Sequence, residues 1–494
     1  VLIVGAGPIG LAAAIELANH GIPSVVIDDN DVVSVGSRAI CWSKRALEVL
    51  DRLGDVGQRA VEKGVTWKIG RTHHRDTEVY HFDLLPESGH KMPAFVNLQQ
   101  YHVEEYLISE AQRRPLIDLR FKNRLADLDC FDDHASALIE TPDGPYRLEA
   151  DWLIACDGAR SPVRNLLGLD FAGELFEERF LIADIEMEAD FPSERWFWFE
   201  PTFHPGQSAL LHKQPDNIYR IDLQLGWDTD PEVEKRPENI LPRIRKVVGE
   251  RDFRLDWSSI YTFQCRRLGQ FVHGPVIFAG DSAHIVSPFG ARGGNGGLQD
   301  VDALCWRLAA VIKGRAPTSC LQAYDRERQH AADENILNSS RTTRFMTPAP
   351  GVERLFRDSV LDLAARAPFA RALVNSGRLS VPCIYPVSGA DDPDMPPAAR
   401  PGAVAPDAPL EGGWLLDVLG RETVLLCLGQ PAPADVNAHC LSPALSETIR
   451  CRYLGKSPAG LYLIRPDQII AARWATADVA ILNAAIAAMW EGRI

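Results

Sequence analysis

Two glycine runs, and the acids that follow them, are where this chain is equipped for chemistry. Gly5-Ala6-Gly7-Pro8-Ile9-Gly10 has GxGxxG spacing, which permits a tight turn whose backbone N–H groups reach a pyrophosphate at a helix N-terminus. Asp28 follows at the spacing of a strand-end carboxylate that accepts from a ribose 2′-hydroxyl. An acid there favours an unphosphorylated ribose, as in FAD or NAD. The stretch GARGGNGGLQD, Gly290 to Asp300, sets five glycines in eight residues, so that much backbone is freed to approach something closely. In YRIDLQL, Arg220, Asp222 and Gln224 share one strand face and Tyr219, Ile221 and Leu223 the other, one facing a pocket or water and the other a core. The ten scattered cysteines contain no CxxC pair and no cysteine–histidine cluster at metal spacing. They read as reduced cytosolic thiols, and no metal is expected.

These residues need elements to hold them. VLIVGAGPIGLAAAIELANHGIPSVVIDD reads as a buried strand, a glycine turn, an alanine-rich helix closed by Gly21 and a second buried strand, which is a βαβ unit. A hairpin about Pro142-Asp143-Gly144 leads to another buried strand, Trp152 to Ala155. From about Leu181 to Leu268 successive period-2 stretches predict a mainly antiparallel sheet. VIFAGD (Val276 to Asp281) returns to the buried, two-faced type. The glycine run follows it, then a helix expected from about Leu298 to Ile312 and helical segments from about Leu321 to Ser376. The Pro-, Asp- and Ala-rich stretch YPVSGADDPDMPPAARPGAVAPDAP reads as a linker to a small α/β domain.

Chain-wide properties narrow the classes. At 494 residues, two or three domains are expected. The composition, 46% hydrophobic and 24% charged, is that of a soluble globular protein, and no apolar run approaches a membrane span. A net charge of −15 argues against nucleic acid or an anionic membrane as the main partner and favours a small molecule. The chain begins without Met or a charged leader, so a few residues are expected to precede this numbering.

CDGARSPVR (Cys156 to Arg164) and AGDSAHIVSPFGARGGNGGLQD (Ala279 to Asp300), together with GxGxxG, resemble in order and spacing the fingerprints of single-component FAD-dependent aromatic hydroxylases, the para-hydroxybenzoate hydroxylase-like flavoprotein monooxygenases. The resemblance covers about residues 1 to 380. It implies an α/β fold with an α+β insertion: a doubly wound FAD-binding domain in two parts (1–180 and 271–385, the second with a helical segment) around an inserted substrate sheet (181–270). A linker (386–409) then leads to a C-terminal domain (410–494). That last region is similar to the thioredoxin-like appendage of the phenol and 3-(3-hydroxyphenyl)propionate hydroxylase branch; lacking CxxC, it is expected to be structural or to stabilise a homodimer.

The resemblance also implies roles. Gly5, Gly7, Gly10, Asp28, Arg38, Gln100, Leu125 (through its backbone), Asp157, Asp281, Gly293, Gly294 and Asn295 would contact FAD. Pro288 and Arg292 would keep step with the loop beside the flavin ring, and Asp157 and Arg164 belong to a motif tied to both FAD and the nicotinamide nucleotide. Arg220 would touch the flavin and influence its movement. His212 and Gln214 stand where the type member grips a benzoate carboxylate with a serine and an arginine, and Pro201 where it has a proton-relaying tyrosine, so the substrate is not expected to be para-hydroxybenzoate. His212, with an ordinary pKa near ~6.5, could polarise a phenol oxygen; a hydrogen-bonded structural histidine is the competing reading. Tyr261 and Gln264 are further substrate candidates.

The activity implied is hydroxylation of a phenolic ring through a flavin C4a-hydroperoxide, with tightly bound FAD, O₂, and NADH or NADPH as a transient co-substrate, since no second GxGxxG would seat a resident nucleotide. The location implied is cytoplasmic. A flavin-dependent halogenase, suggested by WFWFEP (Trp196 to Pro201), or an oxidase on the same fold is the alternative, and a non-enzymatic FAD-binding protein a third.

Overall fold

The computed structural model describes residues 1–33, 39–226, 229–374 and 379–494. The first part of the chain supplies β1 (Leu2–Val4), α1 (Pro8–Asn19), β2 (Ser24–Ile27), β3 (Cys41–Ser43) and α2 (Lys44–Asp51). It continues through β4 (Ile69–His74), β5 (Thr77–Asp83), α3 (Gln100–Gln112), β6 (Ile117–Arg120) and β7 (Leu153–Ala155). The middle contributes β8 (Phe171–Glu186), β9 (Arg195–Phe199), β10 (Ser208–Lys213), β11 (Ile218–Gln224), α4 (Pro237–Val248) and β12 (Arg254–Leu268). Then come β13 (Val272–His273), β14 (Val276–Phe278), β15 (His284–Ile285), α5 (Gly293–Ile312) and α6 (Ser319–Met346). The C-terminal region holds β16 (Val424–Leu428), β17 (His439–Leu441), β18 (Gly460–Ile464), β19 (Ile470–Trp474) and α7 (Val479–Trp490).

The first sheet has the order β13-β14-β7-β1-β2-β6, parallel except for the edge strand β13. Its apolar runs fit that position, because a parallel sheet is covered on both faces; Leu2, Ile3, Leu153, Ile154, Val276 and Ile277 are fully buried. Helices α1 and α5 pack together on it.

The second sheet, β15-β12-β8-β11-β10-β9-β4-β5, is antiparallel but for the β9–β4 pair. It is larger than the sequence pattern implied. β8 begins at Phe171, ten positions before the expected start, and β4 and β5 join from the first part of the chain. Its two faces divide as the alternation predicts. Leu181, Ala183, Leu211, Tyr219, Ile221 and Leu223 pack with Ile240 and Ile244 of α4. The opposite face puts Phe180, Phe197, Phe199, Leu210 and Phe263 against Cys41 and Phe289 from the first domain.

The C-terminal sheet has the order β17-β16-β18-β19, with β16 and β17 parallel and the other pairs antiparallel, the strand arrangement of a thioredoxin-like core. The crossover from β16 to β17, residues 429–438, contains no helix. A buried ionic knot docks this domain. Arg465 donates both terminal nitrogens to Glu327 of α6 at 2.8 and 2.9 Å, Glu327 also accepts from Arg307 of α5, and Arg45 of α2 spans Asp302 of α5 and Gln468.

Candidate functional site

The dinucleotide turn shows which glycines the protein itself requires. Gly5 has φ +104°, and a Cβ there would lie 2.4 Å from the Cys156 carbonyl oxygen. A Cβ on Gly10 would lie 1.9 Å from the Gly5 oxygen. Gly7 differs: its φ is not positive and a Cβ there would meet nothing within 4 Å. Pro8 opens α1, where a missing N–H removes no hydrogen bond. The Asp28 carboxylate accepts from Ala6 N (2.7 Å) and Asn30 N (2.9 Å), and its carbonyl accepts from Asn123 N (2.8 Å), which brings the segment holding Leu125 beside the acid. The Leu125 side chain itself lies in the core. Arg38 lies outside the described residues. Gln100 accepts from Ala39 N at 3.1 Å and donates to Glu104, so it ties down the segment next to Arg38.

In the second motif Asp157 accepts from Val163 N at 2.9 Å, while its other carboxylate oxygen is buried without a partner; burial raises its pKa. Arg164 spans the carbonyls of Ser282 and Ala159, joining this motif to the third. Asp281 is exposed in the turn after β14.

The glycine run corrects the sequence reading, for α5 starts at Gly293, five residues before Leu298. Each glycine is unfavourable in a helix by about 1 kcal/mol relative to alanine. Distant contacts override that here. Asn295 donates to the carbonyls of Cys41 (2.8 Å) and Ala291 (2.6 Å) and accepts from Ser43 N (2.9 Å), and Arg328 donates to the Gly296 carbonyl. Asp300, fully buried two turns on, accepts from Gly280 N (2.8 Å), His284 Nε2 (2.7 Å) and Arg328 Nε (2.5 Å). Gly297 is needed for packing, since a Cβ would lie 2.7 Å from Ile9. Gly293 and Gly294 are not: a Cβ would meet nothing closer than 3.9 and 3.7 Å, and neither φ is positive. With Gly7 they are glycines that the protein's own packing does not explain, and a flat, phosphate-bearing cofactor against bare backbone does. The residues present therefore fit FAD. The first N–H groups of α5 have no partner within the helix and form its positive end. Arg292 folds beneath Gly290, donating to the Phe289 carbonyl, and Pro288 is exposed on the same loop.

On the face of the second sheet that meets this domain lies a buried polar cluster. His212 has Nε2 3.4 Å from Asp222 and Nδ1 3.8 Å from Cys41 Sγ. Burial first, and then the nearby Arg195, lower its pKa to about 4. The imidazole is thus neutral, which corrects the expectation of an ordinary pKa. Arg220 makes a two-pronged pair with Asp184 (2.8 and 2.9 Å), and Gln214 donates to the same acid at 3.3 Å. Tyr261 shares the parity of Phe263 on this face of β12; Gln264 has the opposite parity and projects from the other face. The two cannot line one pocket, because successive strand residues point to opposite faces. Sequence reasoning missed Arg195, Asp184 and Asp300. The inward parity of a charged residue in RWFWF was the available signal for Arg195. Trp196 and Trp198 of the same stretch point the other way and pack on His73 (5.0 and 5.4 Å between ring centres), so the halogenase-like match is ordinary strand packing.

Comparison with known proteins identifies the family and the fold. Residues 1–339 match the family described as FAD binding domain. A flavin-dependent monooxygenase of Mycobacteroides abscessus is 31% identical, with 95% of this chain and 96% of that protein covered. A para-nitrophenol 4-monooxygenase of a Pseudomonas species is 29% identical over 67% of this chain and 82% of its own length. Among solved structures, the flavin-dependent monooxygenase PieE in complex with FAD and substrate superposes with a TM-score of 0.83 at 22% identity, covering 99% of this chain and 98% of that one, so the fold extends through the C-terminal domain. The chain belongs to the family of FAD-binding, single-component flavin monooxygenases that hydroxylate aromatic rings.

Proposed function

We propose that the protein uses NADH or NADPH, O₂ and FAD to hydroxylate a phenolic ring held between the N-terminus of α5 and the polar face of β9, β10 and β11. The observation that carries this reading is the neutral, buried His212 between Asp222 and Cys41, on the sheet face turned toward the glycine-opened helix. Bound FAD supplies the reduction of O₂ and the transfer of one oxygen atom to the ring. The chain's own residues do the rest. The α5 N-terminus, with Gly293 and Gly294, stabilises negative charge on the cofactor. Phe180, Phe263 and Phe289, mutually packed at 4.8 to 5.2 Å, keep water out. His212 and Asp222, each with a buried atom lacking a hydrogen-bond partner, orient a ring hydroxyl, the neutral imidazole polarising it through a hydrogen bond as electron density is drawn from the ring. Arg220 is already engaged by Asp184, which limits any contact it makes with FAD.

Relatives named for para-nitrophenol and for 3-(3-hydroxyphenyl)propionate support a phenolic substrate. The test is NADH and NADPH oxidation by the FAD-loaded protein with a panel of phenols, read with O₂ uptake and product mass. Phenol-stimulated turnover with a product one oxygen heavier is expected; its absence across the panel overturns the reading. The same reading makes the protein cytoplasmic, consistent with ten free thiols, and homodimeric; a solution mass of one chain removes the dimer. Among the described residues no helix is long and apolar enough to cross a membrane.

A further inference from the structure

Buried arginines in this protein normally meet an acid: Arg220 meets Asp184, Arg328 meets Asp300, and Arg307 and Arg465 meet Glu327. Arg195 does not. It is 3% exposed on β9, directly across from His212 in the β9–β10 ladder. Its Nε has no hydrogen-bond partner, its Nη1 reaches only Cys41 Sγ at 3.9 Å, and its guanidinium lies 4.9 Å from the centre of the Phe197 ring. Among the described residues no carboxylate lies within ion-pair distance of it. A cation stripped of water and left without a counter-charge is strongly unfavourable, and guanidinium does not escape by giving up its proton.

The surroundings give the cluster two poles. At the Nε2 edge of His212 stands Asp222, whose Oδ1 is buried without a partner; beyond the Nδ1 edge, past Cys41, stands Arg195. One pole only accepts and the other only donates, with a neutral imidazole between them. Gln214 offers no second cation, and its amide is directed to Asp184.

We propose that Arg195 is a substrate-binding residue that pairs with an oxyanion on the ring, so that the preferred substrates are phenols carrying a carboxylate or an equivalent anionic oxygen group. The phenol hydroxyl then lies toward Asp222 and His212, and the anion toward the guanidinium. This inference rests on the hydroxylase reading of the same pocket and adds the charge of the substrate.

The test uses the oxidised, FAD-loaded protein and reads binding from the perturbed flavin spectrum, which requires no turnover. The probes are 3-hydroxybenzoate and 3-(3-hydroxyphenyl)propionate, each beside its methyl ester. In the unmodified protein the acids are expected to bind more tightly than the esters; equal or reversed affinities overturn the proposal without any variant. Arg195→Met, of similar length and apolar, is expected to weaken the acids by about tenfold or more, as loss of a hydrogen bond to a charged group predicts, and the esters by less than about twofold. Arg195→Lys is expected to recover most of the preference. Equal loss for acid and ester, with FAD content retained, assigns Arg195 a purely structural role and overturns the proposal. Phenols hydroxylated with no dependence on Arg195 remove the subsite and leave the hydroxylase standing. Acids bound through Arg195 but never hydroxylated keep the subsite and overturn the hydroxylase.

Discussion

Replacing Gly293 and Gly294 with alanine should move the protein in opposite directions with and without cofactor. Both sit in the first turn of α5, where a Cβ meets nothing closer than 3.9 and 3.7 Å. Alanine is better than glycine inside a helix by about 1 kcal/mol per site, so the apoprotein gains about 1 to 2 kcal/mol. Spread over the FAD-binding unit, at about 2 cal/mol/K of unfolding entropy per residue, that is a rise in Tm of about 1 to 3 °C. In the proposed placement of FAD the same methyl groups project into space the cofactor needs, so FAD affinity should fall about tenfold or more. Gly10→Ala provides the contrast, because its Cβ would lie 1.9 Å from the Gly5 oxygen and the apoprotein itself is destabilised, by about 3 kcal/mol. The assay is thermal melting of FAD-stripped protein beside fluorescence titration with FAD. A double alanine variant that binds FAD as well as the parent refutes the argument that these glycines are kept for the cofactor, and one that melts lower without FAD refutes the reading of open space.

Three further outcomes follow from the buried polar groups. Asp300→Asn should leave Arg328 without its acid and destabilise the protein by about 3 to 5 kcal/mol, read as a lower melting point. Because His212 is held at about 4 in the folded state and is ordinary when unfolded, the unfolded chain binds the extra proton between those values; stability is lost as pH falls from 6.5 toward 4. Between pH 6.5 and 5 that amounts to about 2 kcal/mol, and urea melts of His212→Gln should lack this part of the acid sensitivity. Arg465→Met should strip Glu327 and Asp467 of a shared partner, loosen the C-terminal domain and speed proteolytic cleavage within 386–409, while unchanged digestion would show that the knot does not hold the domain.

What the sequence made legible was local. A glycine that must clear its neighbour's backbone, an acid closing a strand, and the alternation in YRIDLQL are set by residues a few positions apart, and the structure has them as expected. The start of α5 was not legible, because glycine propensity argues against it and the bonds that decide it join Asn295 to residues 252 and 254 positions away. The parallel pairing of β4 with β9 has the same non-local character. His212 could be found from its position but not its protonation, which depends on burial and on Arg195 across the ladder. Arg195 has a readable parity, yet only the folded protein shows that it lacks a counter-charge.

Helix α5 is clamped from three directions a few residues behind its glycine end, Asp300 by Arg328 and Asp302 by Arg45 and Arg52. In the proposed placement of FAD, a peptide dipole fixed in this way does not have to turn when electrons arrive at the cofactor. The reorganisation energy that water would demand for the same charge is therefore spent during folding, and the docked C-terminal domain, which shares Arg45 through Gln468, contributes to that stiffness from a distance.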